Sequence, residues 1–128
     1  MKKFIVCLIL LLGAGMAVAE SNLDFSEVTS LEKAKALEKQ AKLFKVLLFP
    51  AEFGGEDIPQ NVVYVPAGIP EMKNQITGTL VRFFQDGLIN QLNVAPEYKG
   101  NSFIPSKINL KAWHSEKEGG LNPTIEIW

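Results

Sequence analysis

Thiols and imidazoles are nearly absent from this chain. Its one cysteine, Cys7, lies in an apolar run near the start, and its one histidine is His114. A lone thiol closes no internal disulfide, and a lone histidine does not make a zinc site. Stability must therefore come from an apolar core. Recognisable catalytic signatures are missing too: there is no Gly-x-Ser-x-Gly, no His-Glu-x-x-His and no glycine-rich phosphate loop. No cofactor and no metal is expected on that basis. An excess of charge of one sign is also lacking, with 13 basic against 14 acidic side chains and a formal net charge of -1. Such a balance supplies no general electrostatic drive toward nucleic acid or an anionic membrane. Asn122-Pro123-Thr124 resembles a glycosylation acceptor but is disqualified by its proline.

The only sustained hydrophobic run is Phe4 to Leu12, interrupted soon afterwards by Gly13 and Gly15. It is too short for a membrane span of about 20 residues. With Met1-Lys2-Lys3 before it and Ala17-Val18-Ala19 after it, the run has the three-part form of a secretory signal. Residues 1–19 are expected to be a signal peptide and 20–128 a single α+β domain. That places the protein in the periplasm or outside the cell of a bacterium, with no transmembrane segment after cleavage. Cleavage would remove Cys7 as well as Lys2 and Lys3, leaving a cysteine-free and more acidic chain.

The stretch Ile69 to Phe84 dominates the rest. At helical spacing Ile69, Met72, Ile76, Leu80, Phe83 and Phe84 fall on one face, with Lys73 intruding. Pro70 and Glu71 suit a first turn, and Gly87 suits the left-handed position beyond the last. A second helix is predicted over Thr29–Lys42 from a capping box, Thr29 with Glu32, followed by strong helix formers. Its apolar stripe is narrow, which marks it as peripheral. Leu43–Phe49 fits either a buried strand or the end of that helix, and its length and aromatic content favour the strand. Asn61–Val65 reads as a strand closed by Pro66. Leu88–Val94 and Lys107–Trp113 alternate with period two, and Thr124–Trp128 sets Ile125 and Ile127 on one face. Ala95–Ser106, with Pro96, Gly100 and Pro105, reads as a loop. Together these predict a mainly antiparallel sheet of four to five strands with one long amphipathic helix packed on it. In a terminal hairpin, Leu110 opposite Ile127 would keep the apolar sets together.

Candidate chemistry is sparse. His114 beside Ser115 and Glu116 would need an oriented nucleophile, yet sequence neighbours on a strand point to opposite sides. Glu52, Glu56 and Asp57 cluster in a loop without the spacing of a calcium loop. Tyr98, Phe103, Trp113 and Trp128 are the strongest features. Aromatics presented on a rigid sheet, with Trp113 and Trp128 facing outward, give large contact area at low entropy cost and are the candidate site for a protein partner or a saccharide. The alternative is that the Thr29–Lys42 helix or the Tyr98–Phe103 loop covers that face. The function favoured is a small exported, non-catalytic binding module. The alternative is a small periplasmic enzyme or accessory subunit using His114 or a carboxylate pair such as Glu52 with Glu97.

Overall fold

The computed structural model describes residues 23–128; the signal sequence expected over 1–19 lies outside the described residues. The described chain is α+β, with two helices and two antiparallel sheets. In order come α1 (Leu31–Lys39), β1 (Phe44–Leu47), β2 (Val62–Val65), α2 (Ile69–Gln85), β3 (Gln91–Tyr98), β4 (Pro105–Trp113), β5 (Gly120–Leu121) and β6 (Thr124–Glu126). The expected single sheet is corrected: β1 and β2 form a two-stranded sheet, while β3, β4, β5 and β6 form a four-stranded one. Helix α2 intervenes between β2 and β3, and among the described residues these two strands do not pair, so the ladder is interrupted between them.

Helix α1 begins one residue later than its sequence signal. Ser30, not Thr29, is the N-cap, its hydroxyl accepting from Lys33 N–H at 3.2 Å. It also ends earlier than Lys42, because Ala41 takes a left-handed φ of 60°. Ala41 N–H then bonds Glu38 C=O and Lys42 N–H bonds Leu37 C=O, both at 2.9 Å, the pairing that closes a helix C-terminus. Leu43–Phe49 accordingly becomes β1 and its flank, not a helix end.

Helix α2 matches its expected span, with Pro70 in the first turn and Gly87 at φ 76°. Leu88 N–H reaches back to Phe83 C=O at 2.9 Å, and Lys117 Nζ donates to Gly87 C=O at 2.9 Å, a cation at the negative helix end. Its buried face, however, is rotated from the expected one. Ile69, Lys73, Thr77 and Leu80 are buried, whereas Met72 is 43% and Phe84 54% exposed. The apolar count alone placed the face too far toward Phe84.

Strand β3 runs on to Tyr98 and β4 starts at Pro105, so half of the expected 95–106 loop is strand and only 99–104 remains as the connection. Proline is tolerated at Pro96 because β3 is an edge strand. Leu110 N–H bonds Pro123 C=O at 2.9 Å, which turns the backbone groups of even-numbered β4 residues toward β6 and of odd-numbered ones toward β3. Pro96 faces Ile108 across the ladder, so its missing N–H lies on the outer side. The terminal pairing sets Ile108 opposite Ile125, not Leu110 opposite Ile127. An even slip preserves the inward face, and Ile108, Leu110, Ala112, Ile125 and Ile127 are all buried.

Two clusters make the core. The larger joins Ile69 and Leu80 of α2, Val63 and Val65 of β2, and the inward isoleucines of β4 and β6. The smaller joins Ala34 under α1 with Val28, Leu43, Tyr64 and Ile104. Strand β2 is the wall between them, since its side chains alternate from one cluster to the other.

Two stability outcomes follow from these placements. Leu80→Ala is expected to cost about 2–5 kcal/mol, and Phe84→Ala less than about 1, read from urea midpoints at constant slope. Ala41→Gly relieves the left-handed strain and is expected to stabilise by about 1 kcal/mol, read as a raised midpoint.

Candidate functional site

A groove of about 630 Å³ opens between the two sheets. One wall is β2, through Val62, Val63 and Tyr64; the other is β3, through Val94, Pro96 and Tyr98; Leu48 lies deep in it and Phe103 stands at the rim. Both walls are unpaired strand edges among the described residues, since β2 pairs with β1 alone and β3 with β4 alone. On β2 the direction of the free groups follows from one bond. Leu48 N–H donates to Asn61 C=O at 2.8 Å, so Asn61, Val63 and Val65 turn their backbone toward β1. Val62 and Tyr64 therefore turn theirs toward the open side. Val62 spends its N–H on Pro59 C=O.

The rim is held by a compact turn. Phe103 N–H donates to Val28 C=O at 2.7 Å, Ser102 Oγ donates to Phe25 C=O at 2.8 Å, and Ile104 N–H donates to Ser102 Oγ at 3.0 Å. The backbone of Phe103 is thus fixed while its ring stays 47% exposed. Tyr98 is 46% exposed, and partial burial pushes its phenol above the usual tyrosine range. The opposite wall is steadied by Asn61, whose Oδ1 accepts Phe49 N–H at 2.7 Å and whose Nδ2 donates to Phe49 and Glu56 carbonyls, both at 3.0 Å. Gly55 is required there, because a Cβ would sit 1.8 Å from Phe49 C=O. Sequence reasoning singled out neither Asn61 nor Gly55. An Asn-Val-Val start after a Gly-Pro-rich loop was the available signal.

No acidic or basic side chain lines the groove. It offers apolar surface, two rim aromatics, and polar groups from Gln60 and Ser102 together with free strand edges.

The four aromatics do not gather. Tyr98 and Phe103 share the groove; the two tryptophans lie elsewhere. Trp128 was expected to face outward but packs against both core clusters, its Nε1 donating to Ile104 C=O at 3.1 Å. Phe25 meets its edge with ring centroids 5.9 Å apart, and Lys99 Nζ lies 4.9 Å from its ring centre. The chain continues past β6, which lets this ring fold over the joint between the clusters. Trp113 is half-buried opposite Gln91 and Gly120, with Lys111 Nζ 5.4 Å from its ring centre.

The remaining candidates stand apart from this groove. His114 Nδ1 accepts Glu116 N–H at 3.0 Å, and Asn90 ties down Ser115 from the other side. Glu97 accepts from Asn109 at 2.6 Å on β3, while Glu52 lies in the loop after β1. Asp57 is taken by Lys45 at 2.8 Å. Among the described residues no cluster of three metal-ligating side chains occurs, and no helix is long and apolar enough to cross a membrane.

Comparison with protein-family models, with curated proteins and with solved structures gives no match for this chain. Function has to be read from the groove itself.

The phenol of Tyr98 supplies a local probe. Desolvation raises its folded pKa above the ordinary value near 10. The folded state then holds this proton more tightly than the unfolded one, so its contribution to stability is lost as pH rises through the folded value. An ultraviolet difference titration of wild type against Tyr98→Phe is expected to show a phenol ionising late, and the variant should lose less stability in that window.

Proposed function

We propose that this chain is an exported, non-catalytic interaction module that holds an extended, uncharged segment of a partner protein between β2 and β3. The observation that supports this reading is the pairing of two open strand edges along one uncharged groove. An extended peptide satisfies such an edge through its backbone and places alternate side chains on either wall. Pro96 withholds a donor on the β3 side, so backbone pairing runs along β2 through Val62 C=O and the N–H and C=O of Tyr64, while β3 contributes apolar contact. Four residues of β2 span roughly 13 Å at about 3.3 Å each, which matches a segment of about four to six residues. Tyr98 and Phe103 are the anchors at the rim.

A saccharide fits this groove poorly. Sugar hydroxyls need convergent polar partners, and Gln60 and Ser102 are the only polar side chains besides the tyrosine hydroxyls. The export on which the cellular setting rests follows from the leader-like residues 1–19.

The test is a random heptapeptide library panned on the protein, followed by calorimetry and amide chemical shifts on the best binders. The expected binders are uncharged and apolar at alternate positions, shifting the amides of Val62 and Tyr64. Tyr98→Ala and Phe103→Ala should each weaken them about tenfold or more, near 1.4 kcal/mol, while Trp113→Ala leaves binding unchanged. Shifts confined to residues outside the groove, or equal loss with Trp113→Ala, would discard the proposal.

A further inference from the structure

The apolar face of α2 carries a lysine at its centre. Lys73 is only 5% exposed, and Thr77, one helical turn on, is 4% exposed. A buried ammonium is costly unless something pairs with it. Among the described residues Lys73 Nζ makes no ion pair and no hydrogen bond, and Thr77 Oγ1 makes no hydrogen bond either. Neither is sealed in as an orphan, since no fully buried side-chain polar atom lacks a partner. Both instead end at a pocket of about 290 Å³, between α2 and the segment from β1 to the first 3₁₀ turn (Ala51–Phe53).

The pocket has a sharp electrostatic layout. Lys45 also borders it, but its charge is already engaged by Asp57 at 2.8 Å. Glu52 borders the pocket and its field acts on Lys73, although the two are too far apart to pair. Burial holds Lys73 below the usual lysine range, and Glu52 pulls in the other direction. The site therefore presents one inner cation and one outer anion, with Thr77 and Asn74 beside the cation.

We propose that this pocket binds a small zwitterion, a molecule bearing one carboxylate and one amine, with the carboxylate on Lys73 and Thr77 and the amine toward Glu52. A ligand of reversed polarity fills the gap that keeps Lys73 and Glu52 from pairing. A dianion such as phosphate meets a single free cation and the repulsion of Glu52. A bare carboxylate leaves Glu52 unanswered. The volume lies at the lower limit of the usual range of about 300–1,000 Å³, which fits an amino acid rather than a larger ligand. This site is separate from the groove and stands independently of the function proposed for it.

The experiment uses the full-length protein with glycine, alanine, γ-aminobutyrate, acetate and inorganic phosphate as probes, each titrated to about 10 mM and read by thermal midpoint and amide shifts. At least one amino acid is expected to raise the midpoint and shift Glu52, Asn74 and Thr77, ahead of acetate, with phosphate weakest. Lys73→Met, which keeps the stem and removes the charge, should stay folded and weaken that amino acid about tenfold or more. Glu52→Gln should abolish the preference for the amino acid over acetate, with acetate itself binding no more weakly than to wild type. The proposal is overturned by no binding of any amino acid. Equal or tighter binding of acetate or phosphate, undiminished binding in Lys73→Met, or preserved preference in Glu52→Gln overturns it equally.

Discussion

Everything in this fold depends on the two-sided burial of one short strand. In β2, Val63 and Val65 enter the larger core while Val62 and Tyr64 turn toward the smaller one. A strand buried on both faces cannot slip by one residue without exchanging its two apolar sets. That constraint locks β1 to it in register, seats α1 on one side, and gives α2 and the four-stranded sheet a surface to close against on the other. Among the described residues no strand pairs with its outer edge, so the most constrained element is also one that leaves backbone groups open there.

That combination gives the groove its character. A rigid edge offers backbone groups without a large ordering cost, and the neighbouring β3 edge is blunted by Pro96, which has no N–H to donate there. Tyr98 and Phe103 stand where the turn pins the backbone and leaves the rings out. An uncharged slot with two aromatic posts suits recognition of an extended chain far better than it suits proton transfer.

Helix α2 shows a second compromise. Its stripe is apolar enough to cover a core, yet Lys73 and Thr77 occupy two of its buried positions. Polar groups kept out of water cost stability. Here they converge on a pocket instead of being paired internally, and a pocket that keeps a destabilising cation is the place where a ligand gains most by supplying the missing charge.

The positions of the elements were legible from local chemistry. Pro70 and Gly87 bracket α2, Pro66 ends β2, and the alternation of Ile108, Leu110 and Ala112 gives the inward face of β4, because capping and side-chain periodicity act over a few residues. Tyr98 and Phe103 stood out in the sequence only as aromatics in a proline-flanked stretch, which names candidates without saying what surface they share. The rotation of α2 toward Lys73, the splitting of the strands into two sheets and the folding of Trp128 into the core were not visible. Each depends on which distant surface arrives to be covered, and apolar burial has no preferred direction along the chain. The groove and the pocket belong to that second kind: no local pattern brings β2 beside β3, or Glu52 to the mouth of a cavity whose inner wall is Lys73, until the whole chain has packed.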